Sequence, residues 1–170
     1  MSEADVSAII QMINLYGLAM DAQRWDLFDR IFTEDVEADF GESSRWSDRS
    51  SFKRDFAAFH AAFDSTQHMM SNHLVSVRGE TAQALTYGTW RLIRKGVEGG
   101  DVWEGSGWYD DDIVRRNNRW WIKRRTCRVT WWGGNPRVQE IGPGVKFELQ
   151  LVSLRGEGGA GRVRYLGALR

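Results

Sequence analysis

Apolar residues in the first third of the chain recur at helical spacing. A first helix is predicted where they fall three or four positions apart, at Val6, Ile9, Ile10, Ile13, Tyr16, Gly17 and Met20. A shorter second helix is predicted over residues 23–32, and alternation over residues 34–40 indicates a strand. After a polar loop, a third helix with Ser47 or Ser50 as its cap carries an aromatic stripe of Phe52, Phe56, Phe59 and Phe63.

Four long runs rich in threonine, valine and aromatic residues follow, over residues 67–78, 81–95, 102–116 and 119–132. Glycine and asparagine turn signals separate them, which predicts an antiparallel meander. Helices first and strands later indicate an α+β fold, in which a curved sheet closed by the helices encloses a cone-shaped cavity. We place this domain at residues 1–140 and an extension at 141–170, with a further strand within 140–154, a flexible linker at 156–161 and a basic tail.

The composition narrows the function classes. Among 170 residues, 23 are basic and 23 acidic, so the charge excess typical of nucleic-acid binding is missing. The single cysteine, Cys127, excludes an intramolecular disulfide and multi-cysteine metal sites. No apolar run reaches the roughly 18 residues of a membrane span, and no secretory signal is evident at the start. We therefore expect a cytoplasmic protein with no nucleic-acid or membrane partner.

Aromatic residues and charges are distributed unusually. Nine tryptophans, eight phenylalanines and four tyrosines are more than a core needs, so some are expected to line a pocket for a flat or hydrophobic ligand. Residues 1–66 carry a net charge of −7 and residues 67–170 a net charge of +7. Such a split would draw subunits, or layers of one subunit, together.

Three histidines and one aspartate are the candidates for chemistry. His60 lies between phenylalanines of the third helix and is interpreted as structural. His68 and His73 are five positions apart, which on a regular strand sends them to opposite faces, so spacing does not choose between them. Asp21 ends an otherwise apolar helix, where its carboxylate could orient an imidazole as a general base.

Several familiar signatures are missing from the chain. It has no Walker loop, dinucleotide-binding glycine motif, HExxH helix or nucleophile elbow. The adjacent residues 110–112, all aspartates, alternate in direction on a strand and do not converge on a metal. The remaining chemistry is proton transfer in a hydrophobic cavity, with no metal and no cofactor.

A series of short motifs over residues 6–137 resembles a known family. They are the helix end YGLAMD at 16–21, WD at 25–26, FTED at 32–35, TQH at 66–68, GETA at 79–82, GWY at 107–109, RW at 119–120 and WWGGN at 131–135. Their order and spacing are similar to the SnoaL-like branch of the nuclear transport factor 2-like superfamily, near scytalone dehydratase and bile-acid 7α-dehydratase. The resemblance implies a cystatin-like α+β barrel in which three helices close the sheet, and a homo-oligomer, either dimer or trimer.

The resemblance also implies a site. Asp21 and His68 occupy the places of the aspartate–histidine pair of the dehydratases, which favours His68 over His73. Tyr16 resembles a tyrosine that precedes the aspartate in the bile-acid enzyme, and Tyr109 a pocket-facing position. On an ideal helix Tyr16 and Asp21 are about 140° apart, so they converge only if Asp21 points inward from the helix end.

This sequence departs from scytalone dehydratase at two positions. Gly88 stands where that enzyme has a second histidine, and Phe40 or Met20 where it has a water-positioning tyrosine. The expected pocket residues suit an aromatic or polycyclic molecule; they are Phe40, Trp46, Asn72, Trp90, Trp108, Arg125 and Trp131.

The sequence leads to a functional hypothesis with two alternatives. We expect a cofactor-independent lyase that removes water, or a small fragment such as formaldehyde, from a bulky aromatic or polycyclic substrate by His68–Asp21 acid–base catalysis. A ketosteroid-type isomerase or polyketide cyclase would use the same groups without loss of mass. A non-catalytic ligand binder or accessory subunit is the third interpretation, because one fold serves several functions.

Overall fold

A computed structural model describes residues 3–169. Its helices are α1 (Glu3–Asp21), α2 (Phe28–Ile31), α3 (Arg49–His60), α4 (Leu154–Gly159) and α5 (Arg164–Ala168), with 3-10 turns at Trp25–Leu27 and Pro136–Gln139. Its strands are β1 (Phe32–Asp39), β2 (Arg45–Trp46), β3 (Ser65–Arg78), β4 (Thr81–Ile93), β5 (Val102–Arg116) and β6 (Arg119–Gly134). The predicted α+β order is confirmed. None of the described helices is long and apolar enough to cross a membrane.

All six strands form one mixed sheet in the order β2-β1-β6-β5-β4-β3. The long strands β3 to β6 are antiparallel neighbours, as the meander predicted, whereas β1 runs parallel to β6. Bulges interrupt the pairing between Ser71 and Leu74 and between Ser106 and Gly107. Because a bulge increases local twist and bends its strand, these irregularities help the sheet to curl around its inner face.

Helices α1 and α3 supply apolar side chains to the core on the inner face. Ile9, Ile13 and Phe52 are fully buried, since the helical spacing brings them to one side. The cap of α3 is Asp48, whose carboxylate accepts from the backbone N–H of Ser51 at 2.8 Å, and not Ser47 or Ser50 as predicted. An aspartate serves as well as serine at this position because its side-chain oxygen reaches the same free N–H group.

The last part of the C-terminal extension packs on the outer face of the sheet. Val163 and Tyr165 form a small buried cluster with Leu85 and Trp108 of β4 and β5. The carboxylate of Asp110 fixes the start of α5, because it accepts from the backbone N–H groups of residues 164 and 165 at 2.7 and 3.0 Å. The division at residue 140 stays a prediction.

Two finer predictions about the extension were wrong. The glycine-rich segment at 156–161 was expected to be a flexible linker, but most of it forms α4, which the hydroxyl of Ser153 caps through the N–H of Gly156. The further strand expected within 140–154 is reduced, in the described chain, to one bridge between Leu151 and Val129. Capping and packing against the sheet outweigh the low helix propensity of glycine.

Candidate active site

A cavity of about 160 Å³ lies between the helices and the inner face of the curled sheet. Its walls are mostly aromatic, with Tyr16, Phe40, Trp90 and Tyr109 among the lining residues. The side chains of His60 and His68 also face it. A carboxylate-linked imidazole at such an apolar cavity is the arrangement that the resemblance implied.

Asp21 and His68 meet at the edge of this cavity. Oδ1 of Asp21 is 2.7 Å from Nδ1 of His68. Oδ2 accepts from the backbone N–H of His68 at 2.8 Å, and Oδ1 also accepts from the hydroxyl of Thr66 at 2.9 Å. The imidazole is 6% exposed and the carboxylate 28%, so the pair is enclosed on the histidine side and open to solvent on the other.

The hydrogen bonds of Asp21 determine its charge and the tautomer of His68. Burial raises the pKa of Asp21, but the hydrogen bonds and charge of His68 and the hydroxyl of Thr66 outweigh burial and lower it. The carboxylate is therefore ionised at neutral pH and accepts a proton-bearing Nδ1. Nε2 of His68, on the other edge of the ring, is then a lone-pair base.

A close approach of α1 to β3 brings the pair together. A Cβ atom on Gly17 would lie 3.0 Å from the carbonyl oxygen of His68, so a larger residue would push the helix away from the strand. Asp21 is the last residue of α1, and its carboxylate extends from the helix end to the backbone of β3. Tyr16 lines the cavity from the body of the helix. The two side chains converge despite their separation of about 140° on an ideal helix because Asp21 extends from the helix end.

Two tyrosines and a tryptophan form the floor of the cavity. Nε1 of Trp90 donates to the hydroxyl oxygen of Tyr109 at 2.7 Å, and the hydroxyl of Tyr109 is itself hydrogen-bonded to Tyr16. Burial raises the pKa of both Tyr16 and Tyr109, so both phenols stay protonated at neutral pH. A Cβ on Gly88 would lie 2.8 Å from the rings of Trp90 and Tyr109, so glycine makes room for both.

A buried ion pair lies beneath the tyrosines. Arg125 donates from Nε and Nη2 to both carboxylate oxygens of Asp111 at 2.8 and 2.7 Å, and both side chains are fully buried. Its guanidinium carbon is 4.4 Å from the ring centre of Tyr16 and 4.6 Å from that of Tyr109. Arg125 was predicted to line the pocket; it lies behind the two rings instead and presents its charge to them.

Four other predicted pocket residues do not line the cavity. Trp46 packs behind Phe40, and its Nε1 donates to Asp55 at 2.9 Å. Asn72 is exposed at the β3 bulge, where its φ is +50°. Trp108 and Trp131 are on the outer face of the sheet.

Strand parity explains the two outer tryptophans. Trp108 is next to the inward Tyr109, so it faces outward and packs under α5. Val129 faces the cavity, and a regular strand would send Trp131 the same way. The bulge instead pairs Trp131 with Ser106 and Val129 with Gly107, which turns Trp131 outward and leaves it 47% exposed.

Sequence analysis also missed part of the lining. His60, interpreted as structural, is buried and hydrogen-bonded to its own helix, yet it lines the cavity as well. The signal was present, because His60 is four residues after Phe56 and therefore shares its face of the helix. Gln139 and Leu149 also line the cavity, from segments to which no site residue was assigned. Within residues 3–169, no group of three or more His, Cys, Asp or Glu side chains is arranged to hold a metal ion.

Comparison with known sequences gives a family match. The model of the SnoaL-like domain matches residues 2–126. An uncharacterized protein of Mycobacterium tuberculosis is 31% identical over 132 residues, which cover 74% of this chain and 87% of the relative. These matches confirm the resemblance stated from the sequence motifs.

Comparison with solved structures supports the fold. A protein of Novosphingobium aromaticivorans, proposed to be a scytalone dehydratase, superposes with a TM-score of 0.70 at 23% identity over 78% of this chain and 88% of its own. A hexachlorocyclohexane dehydrochlorinase, LinA type 2, superposes with a TM-score of 0.69 at 15% identity over 84% of this chain and 96% of its own. At these identities the likeness shows the shared α+β fold.

Proposed function

Because this chain belongs to the SnoaL-like family, we propose that it is a cofactor-independent lyase in which His68 is the general base and Asp21 its orienting carboxylate. The observation that carries the proposal is the 2.7 Å contact between these two groups at an apolar cavity. The dehydratase and dehydrochlorinase among the structural neighbours, both named for eliminations, support the reaction class.

The elimination follows from the positions of the polar groups. Nε2 of His68 takes a proton from the carbon next to the one that bears the leaving hydroxyl, and the electron pair of that C–H bond forms the double bond. The C–O bond breaks, and the leaving oxygen, hydrogen-bonded by Tyr16 or Tyr109, receives the proton from the imidazolium and departs as water. Asp21 stabilises the imidazolium while it exists.

The cavity size restricts the substrate. A cavity of about 150 Å³ holds a molecule as large as benzene, and this one is about 160 Å³. We therefore narrow the bulky or polycyclic substrate of the sequence hypothesis to a compound whose reacting part is a single ring, such as a cyclic alcohol. Any further ring of the substrate would extend out of the cavity through its opening to solvent.

One observation favours isomerisation as a second candidate. The guanidinium of Arg125 lies beneath the phenols of Tyr16 and Tyr109, and this arrangement would stabilise an enolate oxygen as well as a leaving one. An isomerase would return the proton to another carbon of the same molecule. Mass spectrometry of the products separates the two reactions, since only the lyase product is lighter by one water.

The oligomeric state, dimer or trimer, stays a prediction.

Replacement of His68 by glutamine tests the proposal. We screen single-ring cyclic alcohols for turnover with the wild-type protein and expect His68→Gln to lower kcat by about 10²- to 10⁴-fold, the usual contribution of a general base. The matched control is His73→Gln, a histidine on the same strand whose Nδ1 contacts Thr86 at 3.2 Å and which does not line the cavity. Activity of His68→Gln within a few-fold of wild type would exclude His68 as the base, and ligand binding without turnover would favour the binder.

A further inference from the structure

His60 has one ring nitrogen hydrogen-bonded to its own helix, and its side chain lines the cavity. Nδ1 is 2.8 Å from the carbonyl oxygen of Phe56. A carbonyl oxygen only accepts, so Nδ1 carries the proton and Nε2, on the opposite edge of the ring, carries a lone pair. Within the described residues 3–169, Nε2 has no hydrogen-bond partner in the protein. His60 is thus an acceptor without a donor in a cavity meant for a ligand.

The ring of His60 is held firmly in place. It stacks on Phe56 with ring centres 5.6 Å apart and packs against Trp25 at 5.3 Å. The side-chain amide of Gln23 donates to the carbonyl oxygen of His60 at 3.2 Å, which fixes the end of α3. A rigid acceptor loses little entropy when a ligand binds, so its contribution to selectivity is larger than that of a mobile side chain.

His60 is also kept neutral beside the catalytic pair. Its ring centre is 5.9 Å from that of His68. Burial and, to a smaller extent, the charge of His68 lower the pKa of His60, and the bond to Phe56 and the charge of Asp21 only partly oppose this, so that the pKa is about 4. At neutral pH His60 therefore remains neutral, and its Nε2 remains an acceptor.

We propose that Nε2 of His60 accepts a hydrogen bond from a hydroxyl group on the ligand ring, so that the protein selects hydroxylated single-ring compounds over analogues without a donor. An analogue that lacks the donor leaves Nε2 buried and unpaired, which is the strongest source of discrimination available to such a site. The inference deepens the proposed function and rests on it for the fate of the bound compound. Its test uses binding alone.

The test compares phenol with anisole, its methyl ether, by isothermal titration calorimetry. We measure the ratio of the Kd for anisole to the Kd for phenol in the wild type and in His60→Phe, which keeps an aromatic ring against Phe56. Taking the ratio removes the difference in hydrophobicity between the two probes. One hydrogen bond corresponds to a ratio about 3- to 10-fold lower in the variant. An unchanged ratio, or no measurable phenol binding to the wild type, overturns the proposal.

Two further measurements show whether a change in the ratio comes from His60 itself. Imidazole ¹⁵N spectra of the wild type need no variant: we expect the Nε2 resonance of His60 to shift with phenol and to stay in place with anisole. His68→Phe is the second comparison. Loss of the phenol preference in His68→Phe but not in His60→Phe would assign the acceptor to His68 and overturn the proposal. Failure of the lyase proposal would appear in turnover, as unchanged activity of His68→Gln, as a product of unchanged mass or as no turnover at all, and would leave the binding ratio as measured.

Discussion

Two pairs, each of a carboxylate and a nitrogen-bearing side chain, lie at or beneath the cavity with the same shortest N–O distance. Asp21 and His68 meet at its edge at 2.7 Å, where both side chains keep some exposure. Asp111 and Arg125 meet beneath its floor at 2.7 Å, where both are fully buried. A guanidinium is charged at any accessible pH, whereas an imidazole gains and loses its proton near neutrality. Only the first pair can therefore move a proton, and the second supplies a fixed charge.

The pairs also differ in what they connect. Asp21–His68 joins the end of α1 to β3. These two elements are not strand neighbours, and they come together because the helix packs on the sheet. Asp111–Arg125 joins two residues that are already directly opposite on the neighbouring strands β5 and β6. Loss of the first pair is therefore expected to change chemistry more than stability, and loss of the second to change stability more than chemistry.

The largest effect is expected when the buried pair is broken on one side. Arg125→Met leaves the carboxylate of Asp111 without its bidentate donor in a site without solvent. We expect the free energy of unfolding to fall by about 3–5 kcal/mol, the usual cost of an uncompensated buried charge. Urea denaturation followed by tryptophan fluorescence measures this loss.

The double variant Asp111→Leu/Arg125→Met is the control for charge. It removes both ionised groups and fills the space with apolar atoms, and such replacements are often neutral or stabilising. We expect it to recover most of the stability that the single variant loses. The single variant Asp111→Leu completes the comparison. If the losses of unfolding free energy in Asp111→Leu and Arg125→Met simply add up in the double variant, the two side chains are not coupled as the structure indicates.

Breaking the pair at the edge gives the next effect. Asp21→Asn keeps the shape of the side chain but removes the charge that stabilises the imidazolium. We expect kcat to fall by about 100-fold with a loss of unfolding free energy near 1 kcal/mol. The matched control is Asp26→Asn, an exposed carboxylate paired with Arg24 at 2.8 Å, for which kcat should be unchanged. Equal kcat in the two variants would contradict a special part for Asp21.

The second histidine of the cavity, His60, makes the stability of the protein depend on pH. The pKa of His60 is about 4 in the folded protein against an ordinary value of 6.5. Between these values the unfolded chain binds more protons, so stability falls as the pH decreases from 6.5 to 4. Over this pH range His60 lowers the free energy of unfolding by about 3 kcal/mol.

A variant isolates the contribution of His60 to that curve. His60→Phe should flatten the dependence of the unfolding free energy on pH between 6.5 and 4, as measured by urea denaturation at a series of pH values. Other titrating groups act equally in both proteins and cancel in the difference. A difference curve that does not change with pH over this range would show that His60 titrates normally when folded.

The sequence predicted the main elements of the fold well because the long helices and strands have a clear hydrophobic period, whereas β2 and α4 have none. The first helix and the four long strands were placed within a few residues, and the α+β order followed. The second helix was overestimated: only Phe28–Ile31 is α-helical, after a 3-10 turn. Side chains such as Trp25 and Phe28 at helical spacing indicate a helix but do not fix its length.

The structure brings the four predicted catalytic residues together but only some of the predicted pocket residues. Asp21, His68, Tyr16 and Tyr109 are together at the cavity, as the resemblance implied. Trp131 was assigned to the wrong face, because one extra residue in a strand reverses every side chain after it and leaves no mark in the hydrophobic pattern. Contacts between segments distant in the sequence, such as Leu149 at the cavity, depend on the path of the chain.

The smallest effect is expected at Thr66, which supports only the edge pair. Its hydroxyl is one of three donors to the carboxylate of Asp21, and Thr66→Val removes that donor without changing the shape. We expect stability to fall by about 0.5–1.5 kcal/mol and kcat by only a few-fold, because the two donors from His68 still hold the carboxylate.

Thr66→Val also changes the acid limit of stability. The hydroxyl helps to lower the pKa of Asp21 in the folded protein. A lowered carboxyl pKa stabilises the fold at pH values above the pKa of the unfolded chain, and this stabilisation is lost as the pH falls through the pKa of the folded protein. Without the hydroxyl, acid unfolding should begin at a slightly higher pH, as followed by circular dichroism. The control is Thr89→Val, on the strand beside β3 and opposite Met69, which should leave the acid transition unchanged. Equal acid transitions in the two variants would mean that the carboxylate depends on His68 alone.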